Sequence, residues 1–114
     1  MVRLKEKEPH SVVKRLLSAT EIVASLARLE GWRLSGDGTA VAIEKSYLFT
    51  DFHQTMAFVN AVAFVAHAQN HHPDLLVGYD KCTVAWRTHD IGGISRADLD
   101  CAARIDALLA ACAQ

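Results

Sequence analysis

The sequence predicts an α+β fold in the order α-β-β-α-β-β-α, with a four-stranded antiparallel sheet packed against helices. Three observations carry this. Apolar residues recur at helical intervals in three stretches, and two further stretches alternate with period two. Turn signals at Asp37-Gly38 and Asp80-Lys81 join the strands in pairs, which favours antiparallel hairpins over a parallel sheet. With 114 residues, 51% of them hydrophobic, the chain reads as one domain over 1–114 with ample material for a core. A domain of this size buries only about 65% of its unfolded surface, so association with further copies is expected.

Ser18 and Glu21 have capping-box spacing, and Ile22, Val23, Leu26 and Leu29 follow at helix intervals, with Gly31 placed as a C-terminal cap. Trp32 to Leu34 reads as a short strand, and Ser35-Gly36-Asp37-Gly38 as the turn after it. From Ala40 to Phe49, Val41, Ile43, Tyr47 and Phe49 alternate with Glu44 and Ser46, as a half-buried strand requires. Thr50 or Asp51 can cap the next helix, which runs to about Asn70 and is stopped by Pro73. That helix has two apolar stripes, Phe52, Met56, Val59, Ala63 and Phe58, Val62, Val65, and no charged residue from Phe52 to Pro73. A helix apolar on two sides needs cover on two sides, one from the sheet and one from a partner subunit. Leu75 to Tyr79 and Cys82 to Thr88 read as strands, the second with Cys82, Val84 and Trp86 on one face. Ser95 and Asp98 open the last helix, with Ile94 and Leu99 spaced for a hydrophobic staple.

Lys plus Arg number 12 and Asp plus Glu 13, a net charge of −1, which leaves no footprint for nucleic acid and no polybasic membrane patch. Arg3, Lys5, Lys7, Lys14 and Arg15 are interleaved with Glu6 and Glu8, so residues 1–17 read as a solvated, frayed extension. The first ten residues lack the apolar run of a signal peptide. The three cysteines are odd in number and widely spaced, and Cys101 and Cys112 fall on one helix face as small core residues. A reducing, cytoplasmic setting is the expectation.

His67, His71, His72 and His89 fall within one short stretch, whereas His10 and His53 read as surface residues. Clustered imidazoles repel when charged, so such a group marks a site. Two chemistries compete for it. His67 and His71 have the i,i+4 spacing that can grip a metal, but Ala68-Gln69-Asn70 lie between them, with no glutamate base beside His67 and no cysteine nearby. General acid–base catalysis suits an imidazole pKa of about 6.5.

The spacing His67-x3-His71-His72-Pro73-x5-Tyr79-x9-His89, followed by an Asp near 98–100, resembles the signature of pterin-4a-carbinolamine dehydratases. Phe49-Thr50-Asp51-Phe52, Tyr79-Asp80-Lys81, Thr88-His89-Asp90, Gly92-Gly93 and Ile105-Asp106 extend the likeness from about Gly31 to the C-terminus. The resemblance implies the fold read above and the dehydration of 4a-hydroxytetrahydropterin to quinonoid dihydropterin, recycling the cofactor of aromatic amino-acid hydroxylases. It implies His71, His72 and His89 as catalytic residues, with His71 and His89 the acid–base pair and His72 orienting the pterin. His67, Asn70, Pro73, Thr88 and Asp90 are implied substrate contacts, and no metal or redox cofactor is needed. The implied partner is a small pterin, with a homodimer or homotetramer as the assembly. Many relatives carry a glutamate where His67 stands and a tryptophan where Leu75 stands; here His67 is expected to support His71 one turn away. Some proteins of this fold serve instead as dimerisation partners of a transcription factor or as assembly chaperones, which is the alternative function.

Overall fold

The computed structural model describes residues 14–112, and its elements follow the predicted order. The readings made for residues 1–13, His10 among them, and for the side chain of Cys112 lie outside the described residues.

Helix α1 (Ala19–Leu26) starts as its sequence dictates: Ser18 Oγ accepts from Glu21 N–H, and the Glu21 carboxylate accepts from Ser18 N–H. It ends earlier than expected, at Ala27. Gly31 is therefore not its cap. With φ +85°, Gly31 turns the chain into β1 (Arg33–Ser35), where the Lys45 side chain fills the space of a Cβ. Strand β2 (Ala42–Leu48) pairs antiparallel with β1 on one side and β4 (Lys81–Trp86) on the other, and β3 (Asp74–Val77) closes the sheet in the order β1-β2-β4-β3. The register sets Ile43 beside Trp86 and Tyr47 beside Cys82, so the apolar alternation of both strands lands on one face. Cys82, Val84 and Trp86 are wholly buried there. The opposite face is crossed by a Ser46–Thr83 hydroxyl pair at 2.8 Å and an Arg33–Glu44 ion pair at 3.0 Å, with Leu48 and Leu76 exposed beside them.

Helix α2 (Phe52–Gln69) is capped by the Asp51 carboxylate, which accepts from Gln54 N–H at 2.8 Å. Of its two apolar stripes the second is the core face: Phe58 and Val62 are buried with Thr55 and Ala66, while Phe52 and Phe64 are 49% and 78% exposed. The stop lies at Asn70, left-handed at φ 51°, before Pro73 can act. Helix α3 (Arg96–Cys112) packs Leu99, Ala102 and Ile105 into the same core, and Ile94 before it is buried as a staple partner should be. Both helices touch β4 and each other. Among the described residues no helix is long and apolar enough to cross a membrane.

Residues 14–17 of the extension expected to fray are held against the domain. Leu17 is buried and its N–H donates to Ile94 C=O at 2.9 Å, and Arg15 forks onto Glu21. Burial of Leu17 and the capping box immediately after it offset the entropy of fixing the segment.

Candidate active site

The end of α2 aims His71 inward. Asn70 in the left-handed conformation turns the chain, and two bonds close a Schellman motif: Asn70 N–H to His67 C=O at 3.2 Å and His71 N–H to Ala66 C=O at 3.0 Å. The His71 ring, 6% exposed, then lies on Trp86 with planes 13° apart and centroids separated by 5.6 Å. Its Nε2 meets Asp98 Oδ1 at 2.5 Å, and its Nδ1 lies 3.3 Å from Lys14 Nζ. A lysine ammonium has no lone pair to offer, so Nδ1 is the acceptor. The ring proton therefore sits on Nε2 and is donated to Asp98.

Asp98 is wholly buried, a position that costs a lone carboxylate several kcal/mol. Its remaining oxygen is satisfied: Oδ2 accepts from Thr88 Oγ1 at 2.8 Å and from Ser95 N–H at 2.9 Å, and the Thr88 and Ser95 hydroxyls share a bond of 2.6 Å. Asp98 also stands in the first turn of α3, where the helix dipole favours a negative charge. Three elements thus converge on one carboxylate–imidazole pair.

The other histidines of the cluster are exposed. His72 follows His71 and is exposed; Pro73 and Asn70 are half-buried beside it. His89 and Asp90 are exposed in a short 3-10 turn, His89–Ile91. That turn is cinched by bonds between Thr88 and Gly93, so His89 is held next to the residue that touches Asp98. His67 lies exposed in the last turn of α2. Thr88, read as a substrate contact, is 1% exposed; its hydroxyl donates to Asp98 Oδ2 and so accepts from the Ser95 hydroxyl. Asp98 and Lys14 are the partners of the two His71 ring nitrogens.

Asp98 was legible in the sequence only as a helix-capping residue and as part of the motif; nothing local linked it to His71, 27 residues away. Lys14 carried no signal at all. Among the described residues no three His, Cys, Asp or Glu side chains are grouped to hold a metal ion. Two surface hollows, one between α1 and α3 and one between α2 and α3, are lined by none of the histidines.

A second polar cluster lies farther along α3. Asp106 accepts from Trp32 Nε1 at 2.7 Å, Tyr47 Oη at 2.6 Å and Lys45 Nζ at 3.0 Å. Burial, reinforced by the bond to Asp106, pushes the Tyr47 hydroxyl far above its ordinary pKa, so it remains a donor.

Residues 15–108 match the family model described as pterin 4 alpha carbinolamine dehydratase, a match that starts well before the Gly31 boundary of the motif resemblance. A protein of Paracidovorax citrulli named "Putative pterin-4-alpha-carbinolamine dehydratase" is 61% identical over 108 residues, covering 95% of this chain and 93% of that protein. Among solved structures, a transcriptional coactivator/pterin dehydratase from Brucella melitensis superposes with a TM-score of 0.76 at 28% identity, over 82% of this chain and 97% of the other. A pterin dehydratase-like protein identified as a RuBisCO assembly factor in the alpha-carboxysome matches with a TM-score of 0.58 at 28% identity, over 69% and 89% of the two chains. The chain belongs to the pterin-4-alpha-carbinolamine dehydratase family.

Proposed function

We propose that this chain, acting as one domain over residues 1–114, dehydrates 4a-hydroxytetrahydropterin to quinonoid dihydropterin by histidine acid–base catalysis and so returns pterin to aromatic amino-acid hydroxylases. The observation that carries this is the buried His71–Asp98 pair, which a merely structural helix end does not need. A neutral imidazole with its proton on Nε2 has a lone pair on Nδ1 and is built as a base. His89, exposed beside Thr88, is the acid.

In this reading His89 gives a proton to the 4a-hydroxyl. The C4a–O bond breaks as the lone pair of the adjacent ring nitrogen forms a C=N bond, and water leaves. His71 takes a ring N–H proton through Nδ1, and the two protons balance across the turnover. No electron changes hands, so the step needs no oxidant. His72 orients the pterin from the neighbouring surface, with Asn70, Pro73, His67 and Asp90 as further contacts. The test is the disappearance of carbinolamine absorbance with and without protein; acceleration over the spontaneous loss is expected, and equal rates defeat the proposal.

The alternative, a non-catalytic assembly partner, draws on the neighbour identified as a RuBisCO assembly factor. Equal carbinolamine loss with and without protein would favour it. We also propose a cytoplasmic homodimer or homotetramer that binds neither nucleic acid nor membrane. Cys82 and Cys101 are free thiols, and Phe52 and Phe64 are exposed aromatic rings on α2. Light scattering at micromolar concentration tests the assembly, and a strict monomer contradicts it.

A further inference from the structure

The segment ahead of α1 runs against the histidine pair. Leu17 anchors it through the bond to Ile94 C=O and through burial, and the tip of Leu16 occupies the space that a Cβ on Gly93 would need. Just ahead of these anchors, Arg15 turns toward Glu21, at 3.0 and 2.8 Å. Lys14, half-buried, turns the other way and sets its ammonium on His71 Nδ1. One basic residue of the pair thus serves the helix cap and the other serves the site.

We infer that Lys14 is a positioning residue for His71: its ammonium on Nδ1 and the Asp98 carboxylate on Nε2 hold the imidazole from opposite nitrogens as the neutral Nε2–H tautomer. The inference rests on the reading that His71 serves the dehydration, and it adds the segment before α1 to the site. Asp98 alone fixes the proton but leaves the ring free to rock about one hydrogen bond. A second bond on the far nitrogen removes that freedom, and Trp86 restrains the ring plane. The lysine donates to the same lone pair that must accept the substrate proton. The ammonium therefore keeps Nδ1 aimed and hydrogen-bonded until a substrate N–H replaces it. A flexible four-carbon stem suits a donor that must yield.

The test compares wild type with Lys14→Met and Lys14→Arg by nitrogen-15 spectra of the histidine rings, recorded at neutral pH without substrate, alongside dehydration rates. Wild type should show His71 as the Nε2–H tautomer with a hydrogen-bonded Nδ1. Lys14→Met should move the Nδ1 signal toward that of a bare imine nitrogen and lower kcat roughly tenfold, the factor for losing one charge-assisted bond. Its melting temperature should stay near wild type, because Leu16 and Leu17 still anchor the segment. Lys14→Arg should restore the donor, the signal and most of the rate. An unmoved Nδ1 signal in Lys14→Met overturns the inference, as does an undiminished kcat or a failure of arginine to rescue. Were wild type itself inactive on carbinolamine, the dehydratase reading would fall, while the spectra would still decide where Lys14 donates.

Discussion

Helix α3 carries two inward carboxylates about two turns apart, and their partners separate chemistry from architecture. Asp106, 25% exposed at its side chain, collects Trp32, Tyr47 and Lys45, all of them donors that keep their protons at neutral pH. It clamps β2 and the approach to β1 onto α3. Asp98 is wholly buried and holds an imidazole, the one side chain whose ordinary pKa lies near neutrality. The same residue type on one helix thus makes a rivet in one place and the partner of a titratable ring in the other. The partner decides which.

The largest effects should fall on the histidines. His71→Ala and His89→Ala should each slow dehydration by roughly 10²–10⁴-fold, the contribution of one positioned acid or base, in steady-state assays of carbinolamine loss. His72→Ala should raise KM more than it lowers kcat, if it holds substrate as proposed. Near-normal turnover in both His71→Ala and His89→Ala would remove the site from this end of α3.

The two carboxylates should then part company. Asp98→Asn should lower kcat by roughly 10- to 100-fold, as for loss of the partner that orients a functional histidine. Asp106→Asn should cost about 1–3 kcal/mol in urea unfolding, for weakened bonds to three donors, and leave kcat intact wherever the variant is folded. A catalytic defect in folded Asp106→Asn would erase the contrast.

Much of the fold was legible because its signals are local. Ser18 with Glu21, Asp51 before Phe52 and the alternation of Cys82, Val84 and Trp86 each specify structure within a few residues. The burial of α2 was not legible, since apolar residues occupy both faces and only the tertiary packing selects Phe58 and Val62 over Phe52 and Phe64. The site divides in the same way. The histidine cluster is a sequence motif, whereas Lys14–His71 and His71–Asp98 span 57 and 27 residues and exist only once the elements dock. Thr88 and Asp98 were visible as motif residues, but their bond to each other was not.

Thiol reactivity should be a smaller readout of the same core. Burial, helped by the charges of Asp98 and Asp100, pushes Cys101 up to about 12, and burial raises Cys82 as well. With Cys112 replaced by serine, both remaining thiols should resist iodoacetamide at pH 8 until the protein unfolds. Rapid labelling of the native protein would mean that the α3 core opens easily.

The smallest effect belongs to the cap of α1. The Arg15 fork, with Ser18 N–H, holds the Glu21 carboxyl down at about 2. A depressed carboxyl adds stability that is present above its unfolded pKa of about 4.3 and fades as pH falls toward the folded value. The melting-temperature gap between wild type and Arg15→Ala should therefore be slight at pH 6, smaller at pH 3 and smaller still in high salt, because the pair is solvent-exposed. A gap that grows on acidification would contradict the assignment.

The most direct measurement of the account is a double-mutant cycle in carbinolamine dehydration with wild type, His71→Ala, Asp98→Asn and the combined variant. If Asp98 acts through His71, the combined variant should be no slower than His71→Ala alone. Multiplied losses in the combined variant would show that Asp98 acts by another route, and a wild type that leaves the carbinolamine to decay unaided would contradict the account at its root.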